Sequence, residues 1–231
     1  MGAVRSLGGE DWFALGDGDL ALHVLRSERL ARGEPLSSII SGFARRWGIT
    51  SAILPMSDDS VATLLDTDEG TLDFQRYFVE RRCEPRVKKI RFEGAHTARA
   101  APGVVAAILE ARAIIIAPSN PYLSIDPILA IAEVRDALAA TRAPVVAVSP
   151  LINGKAVKGP TAKLMSELGV EVSNHAIARH YEGIIGGMII DQGDQGPANT
   201  EIVREQTLMQ SLEDKVRVAQ AALALADRLR R

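Results

Sequence analysis

Two short runs of β-branched residues constrain this chain more than any other feature. The first, Ala113-Ile114-Ile115-Ile116-Ala117, stops at Pro118-Ser119-Asn120-Pro121. The second, Pro144-Val145-Val146-Ala147-Val148, stops at Ser149-Pro150 and leads into Asn153-Gly154-Lys155-Ala156-Val157-Lys158-Gly159-Pro160. Runs of this length and composition, each cut off by Pro and small polar residues with helical sequence between them, predict a βαβ unit. Ligands of such units sit beyond the carboxyl ends of the strands. Both ends carry hydroxyls and an amide, and one carries a lysine, so the expected ligand is anionic and phosphorylated.

Around this unit the pattern alternates. Helices are predicted over 104–111, 127–140, 161–168, 176–181 and 212–229. Strands are predicted over 170–172, 187–190 and 206–209, and a short helix over 202–204. The long last helix has apolar Val216, Ala219, Leu223 and Ala226 on one face. Strands alternating with helices specify an α/β fold, a parallel sheet covered on both faces. Upstream, Met1 to Glu10 is Gly-rich and aperiodic, a ragged start. Residues 20–30 and 36–47 read as a helical hairpin, with Leu22, Val24, Leu25 and Leu30 at helical spacing in the first. A strand is expected over 49–54, a hairpin of 61–65 and 71–74 around Thr67-Asp68-Glu69-Gly70, a helix over 74–82 and an edge strand over 87–92.

Bulk properties narrow the function classes. At 47% hydrophobic and 24% charged, 231 residues can bury a real core. The formal charge of −2 and 4% aromatic content point away from nucleic acid. A single cysteine, Cys83, excludes an internal disulfide and a cysteine-based zinc site, and fits a reducing, cytoplasmic setting. No apolar run approaches a membrane span, and no signal-peptide core is evident, so no membrane partner is expected.

Several strings carry chemistry. Pro121 forces Asn120 out of the α region and aims its side chain off the strand end. Ser119, Asn120 and Ser124, the last near a helix start, form either an anion site or a capped turn, and residue types do not choose between them. Gly159 permits a close backbone approach, and Pro160 starts a helix with Lys158 at its N-terminus. A positive charge there opposes the helix dipole unless an anion lies between; the alternative is a solvated loop lysine. Ser149 ends the second strand. The GxxxxGK[ST] loop is absent. Asp58-Asp59 offers oxygen ligands for Mg²⁺, although paired carboxylates are ordinary in turns. Arg81-Arg82-Cys83-Glu84 suits either a phosphate grip or a solvated helix end.

Taken together, these strings resemble one family. IAPSNPYLSIDPILAI, PVVAVSPLINGKAVKGPTAKLM and ELGVEVSNHAIARHYEGIIGGMIID are similar to the C-terminal half of the 2-phospho-L-lactate transferase family, which builds the deazaflavin coenzyme F420. LGDGDLALHVLRSERLARGEPLS, ILPMSDDSV, DEGTLDFQRYFVERRCEPRV and IRFEGA extend the likeness from residue 11 to about 231. The resemblance implies a Rossmann-like, mostly parallel sheet with helices on both faces and a small helical subdomain. On that basis residues 1–16 join the core, 17–48 form the subdomain and 49–231 the α/β core. It also implies transfer of a phospholactyl or phosphoenolpyruvyl group from a guanosine diphosphate-linked donor to the ribityl hydroxyl of the deazaflavin Fo. GMP leaves, Mg²⁺ assists, and the enzyme is a homodimer. Ser119, Asn120, Ser124, Lys158 and Gly159 would face the guanosine diphosphate. Asp17 and Asp19 match the family's GDxD string and belong with the substrate; Asp58 and Asp59 match its MSDD string and belong with the metal.

Two departures bear on activity. Family members begin with a strand and Gly-rich loop followed by an acidic segment, and Met1 corresponds to a point well inside that sequence. The family's basic residues are replaced by Ala14 and Gly18. The expectation is a chain that keeps the donor side and lacks much of the acceptor and metal side. The alternatives are a non-catalytic nucleotide- or nucleotide-sugar-binding protein of the same fold, like the regulators called gluconeogenesis factors, or an inactive fragment.

Overall fold

The computed structural model describes residues 2–10, 12–156 and 159–230. In chain order the strands are β1 (Ala62–Thr67), β2 (Gly70–Asp73), β3 (Val87–Glu93), β4 (Ile114–Ile116), β5 (Val145–Val148), β6 (Leu151–Ile152), β7 (Lys155–Ala156), β8 (Gly187–Asp191) and β9 (Glu201–Glu205). The helices are α1 (Gly2–Ser6), α2 (Asp17–Ala31), α3 (Leu36–Arg46), α4 (Val104–Leu109), α5 (Asp126–Leu129), α6 (Ala132–Ala140), α7 (Thr161–Glu167), α8 (Asn174–His180) and α9 (Leu212–Leu229). Two π-helical turns, Arg76–Glu80 and Pro121–Ile125, join them.

Strands β4, β5, β8 and β9 form one parallel sheet in that order. The two β-branched runs, β4 and β5, are neighbours in it, with Ile116 opposite Ala147. The period-2 alternation of a strand explains how so short a sheet is covered twice. On one face Val145, Ala147, Met188 and Ile190 pack with Met165 of α7 and Ile177 of α8. On the other, Val146, Val148 and Ile189 pack against Val218, Ala222 and Leu225 of α9. The α/β class, the parallel sheet and its two helical layers are as expected.

Five local expectations are corrected. Residues 202–204 are strand, not helix: Ile202 joins the first core and Val203 the second, which only an extended backbone permits. Residues 206–209, expected as the last strand, are loop. Residues 49–54 and 170–172 form no strand, because no ladder partner lies beside them; Ile53 and Leu54 are exposed, while Val170 and Val172 pack into the core as loop residues. The aperiodic start contains the short helix α1.

Helix α9 matches its expected limits and buries Ala226 as expected, but its inward face is rotated from the expected one. Val216 and Leu223 are exposed, and Val218, Ala222, Leu225 and Ala226 are buried. This helix is apolar along two stripes, and Gly186 and Gly187 select between them. A Cβ on Gly187 would lie 2.9 Å from Leu225 Cδ2 and 3.0 Å from Leu229 Cδ1, so the leucines rest directly on the bare backbone. Helix 74–82 is present but ends as a π-turn, and 127–140 divides into α5 and α6.

Strands β2, β1 and β3 form a separate antiparallel sheet, with β3 at an edge as expected. Leu65, Tyr77 and Val87 join it to Leu164 of α7 and Leu123 of the second π-turn. Helices α2 and α3 form the expected hairpin. Helix α2 buries none of its side chains, and Val24, Leu25 and Leu30 are all exposed.

Candidate functional site

Beyond the carboxyl ends of β4 and β5 lies a cavity of about 340 Å³. Its polar wall comes from the segments the sequence singled out: Ser119, Asn120, Ser124, Ser149 and Gly159, joined by Thr161 at the start of α7. Its apolar wall comes from Phe74, Phe78, Leu123, Ile152, Leu208 and Met209, with Thr207 beside them. Lys158 lies outside the described residues. Among the described residues, no side chain lining the cavity is charged.

Asn120 serves both readings left open by its sequence. Its backbone is extended (φ −63°, ψ 118°), as the following Pro121 requires. Its Oδ1 accepts from the backbone N–H groups of Tyr122 at 3.0 Å and Leu123 at 3.1 Å, capping the π-turn. That fixes the amide orientation and leaves Nδ2 as a buried donor with no hydrogen-bond partner among the described residues. A buried donor left unpaired costs on the order of 1–3 kcal/mol, which an acceptor on a ligand would offset.

Ser149 is bound on every side. Its hydroxyl donates to Asn174 Oδ1 at 2.5 Å and accepts from the N–H of Leu151 at 3.0 Å. Behind it, Asn174 Nδ2 donates to Gln195 O at 3.2 Å and Asp194 Oδ2 at 3.4 Å, while Asp194 Oδ1 accepts from Gly154 N–H at 2.8 Å. Thr207 is held similarly: its N–H donates to Asp191 Oδ2 at 3.2 Å and its hydroxyl approaches the same oxygen at 3.4 Å. The sheet end is therefore braced by two buried carboxylates, Asp191 at the tip of β8 and Asp194 three residues on. Sequence reasoning missed this brace because its partners are far apart in the chain.

The other expected site residues fall elsewhere. Asp17 lines a second hollow of about 610 Å³ between α2 and α3, with Leu22, Leu25, Arg29, Phe43, Arg46 and Trp47; Asp19 lies in the same first turn. Asp58 accepts from Ser37 twice, from its N–H at 2.6 Å and its hydroxyl at 2.8 Å, at the start of α3. Asp59 Oδ2 accepts from the N–H of Arg99 at 2.9 Å. Neither aspartate lines the sheet-end cavity or the α2–α3 hollow. Among the described residues no three His, Cys, Asp or Glu side chains gather as a metal-binding group. Of the Arg81-Arg82 pair, Arg81 is ion-paired with Glu69 at 2.5 Å. Burial pushes the Cys83 thiol up, with Lys163 pulling the other way, which leaves it a poor nucleophile.

A pair the sequence did not suggest is His180 Nε2 with Asp126 Oδ1 at 2.7 Å, flanked by the rings of Tyr122 and Tyr181. It is not part of the cavity lining. Among the described residues no helix is long and apolar enough to cross a membrane.

Comparison with known proteins finds relatives over most of the chain. The sequence profile described as "2-phospho-L-lactate transferase CofD" matches residues 7–227. A phosphoenolpyruvate transferase of Kitasatospora aureofaciens is 39% identical, over 96% of this chain and 73% of its own length. A 2-phospho-L-lactate transferase of Methanopyrus kandleri is 38% identical, over 98% of this chain and 74% of its own. Among solved structures, a UPF0052-family protein from Bacillus halodurans superposes with a TM-score of 0.61 at 13% identity, covering 89% of this chain and 71% of that one. That likeness concerns the fold alone.

Proposed function

Because the chain belongs to the 2-phospho-L-lactate transferase CofD family and is a transferase, we propose that it moves a phospholactyl or phosphoenolpyruvyl group in coenzyme F420 biosynthesis. The donor is the three-carbon acid linked through phosphate to GMP, and the acceptor is the terminal ribityl hydroxyl of Fo. The hydroxyl oxygen forms a bond to the phosphorus that carries the acid, the hydroxyl proton is lost, the bond from that phosphorus to GMP breaks, and GMP leaves.

The observation that carries this reading is the buried Nδ2 of Asn120 at a strand-end cavity. Ser119 and Ser124 line the same wall, and their hydroxyls have no hydrogen-bond partner among the described residues. Oriented donors of this kind suit a diphosphate whose charge shifts during transfer. Gly159 has φ +70°, and its backbone adjoins the cavity without a side chain in the way. Lys158, next to it in the chain, is proposed as the phosphate's cation, and Ser149 as the support that holds the second strand end in shape. Asp17 and Asp19 are proposed for the acceptor side.

Magnesium is proposed as cofactor on the family likeness. When bound it would neutralise diphosphate charge. Asp58 has both oxygens on Ser37, whereas Asp59 Oδ1 has no hydrogen-bond partner among the described residues, so the fit to a metal is limited to that one aspartate oxygen. A homodimer in the cytoplasm completes the proposal.

The test is formation of the phospholactylated deazaflavin from Fo and the activated donor, beside calorimetric titration with GDP. Turnover together with GDP binding is expected. GDP binding without turnover would favour a nucleotide-binding protein, and absence of both would overturn the reading.

A further inference from the structure

The polar lining accounts for an anion and leaves the apolar lining unexplained. There, Phe74 and Phe78 stack with ring centroids 5.4 Å apart and planes 26° from parallel. Phe78 is 40% exposed, and Leu208, on the same cavity, is equally exposed. Isolated exposed apolar residues need no explanation, but these two share one concave surface with the half-buried Phe74, Ile152 and Met209, and that does.

The local backbone holds the Phe78 ring in place. Phe78 sits on the π-helical turn Arg76–Glu80, a distortion often found at functional sites. The preceding residue, Tyr77, is fully buried between the antiparallel sheet and α7, and anchors the turn. Phe74 stacks on the Phe78 ring. A Cβ on Gly159 would come 3.9 Å from Phe78 Cε2, so the ring stands next to the segment assigned to phosphate. A ligand filling this space therefore has an anionic part against hydroxyl and amide donors, and a flat apolar part against a flat aromatic wall.

We propose that the exposed ring of Phe78, backed by Phe74, is the platform on which a planar heteroaromatic ring of the substrate stacks. This rests on the cavity being the transferase's substrate site. Two rings share the chemistry: the guanine of the donor and the deazaflavin of the acceptor. Stacking on an aromatic side chain is sensitive to loss of the flat π face even when apolar bulk is kept.

The experiment is calorimetric titration of the wild type, Phe78→Leu and Phe78→Trp with GDP, pyrophosphate and Fo. The expected result is that at least one ring ligand binds about tenfold more weakly to Phe78→Leu and within about twofold of wild type to Phe78→Trp, with pyrophosphate within about twofold throughout. Weakening of GDP assigns the platform to the base, and weakening of Fo assigns it to the deazaflavin. Unchanged affinity of both rings for Phe78→Leu overturns the platform and leaves the substrate site standing. So does a wild type that binds pyrophosphate and neither ring. Equal weakening of all three ligands overturns it as well, since that reports lost pocket shape. A wild type that binds none of them overturns the substrate-site reading and the platform together.

Discussion

The Ser149 hydroxyl gives its proton to Asn174 Oδ1 at 2.5 Å, and the amide orientation that requires this is set by Asn174 Nδ2 donating to Gln195 O and Asp194 Oδ2. Ser149 therefore lines the cavity without a proton for a phosphate oxygen. It accepts from Leu151 as well, and is 1% exposed. Its role in this geometry is that of a strut that fixes the end of β5. Ser149→Ala is expected to leave Asn174 Oδ1 buried and unpaired and to cost about 1–3 kcal/mol of stability. GDP affinity of the folded variant should stay within about twofold. Denaturant unfolding beside calorimetry checks this, and a large affinity loss at unchanged stability would make Ser149 a ligand instead.

At Asn120 the affinity is expected to fall as well. Aspartate caps a helical turn about as well as asparagine, so Asn120→Asp can still accept from Tyr122 and Leu123. It replaces the Nδ2 donor with a carboxylate oxygen. The cap is kept, but a charged oxygen replaces a buried amide, so stability should fall by about 1–3 kcal/mol. Affinity for GDP should fall by at least about tenfold, since a charge-assisted contact becomes a like-charge one. Thermal melts and titration together decide it; preserved GDP affinity would remove Asn120 from the phosphate site.

These two residues also show what the sequence could disclose. The strand ends were legible because Pro and Gly punctuate them and because Val145 to Val148 are apolar at every position, as burial on both faces demands. Asn120 was legible through Pro121. The brace behind Ser149 was not, because Asn174 at the start of α8 and Asp194 beyond β8 reach it from distant parts of the chain. Phe78 resembles any core aromatic until Gly159 is seen beside it. Ile202 and Val203 carry no legible signal, because three residues cannot reveal a period. The inward face of α9 is not legible in the helix's own pattern, because the glycines it rests on lie at the start of β8.

Acid should loosen the attachment of α9. Asp214 closes the capping box with Ser211 and accepts from the N–H groups of Gln210 and Ser211, with Arg217 beside it. These bonds hold its pKa at about 2 against an ordinary 3.8. A carboxylate with a lowered folded pKa contributes stability that is fully present above its unfolded value and is lost as pH falls through the folded one. The melting temperature should therefore drop between pH 3.8 and about 2. Asp214→Asn, which has no charge to lose, should show a shallower drop over the same window by circular dichroism. Identical slopes would mean that other carboxylates govern the acid transition.

Gly94 follows β3 at φ +86°, and a Cβ there would fall on the carbonyl oxygen of Ser60. The obstacle is backbone, so no rotamer change relieves it, and the left-handed conformation is itself unfavourable for alanine. The same turn holds Ala98, whose N–H donates to Gly94 O at 3.1 Å and whose side chain packs with Ile131 and Val134 of the cluster around α6. Displacing Gly94 thus disturbs both the edge strand β3 and that cluster. Gly94→Ala should destabilise the protein by more than about 2 kcal/mol, read as a lower denaturant midpoint at an unchanged slope. Gly154→Ala serves as the control. It also has positive φ (+67°) but no atom within 4 Å of the added Cβ, so it should cost about 1 kcal/mol from the backbone alone. Equal losses at the two positions would show that conformation, rather than the Ser60 contact, sets the cost at Gly94.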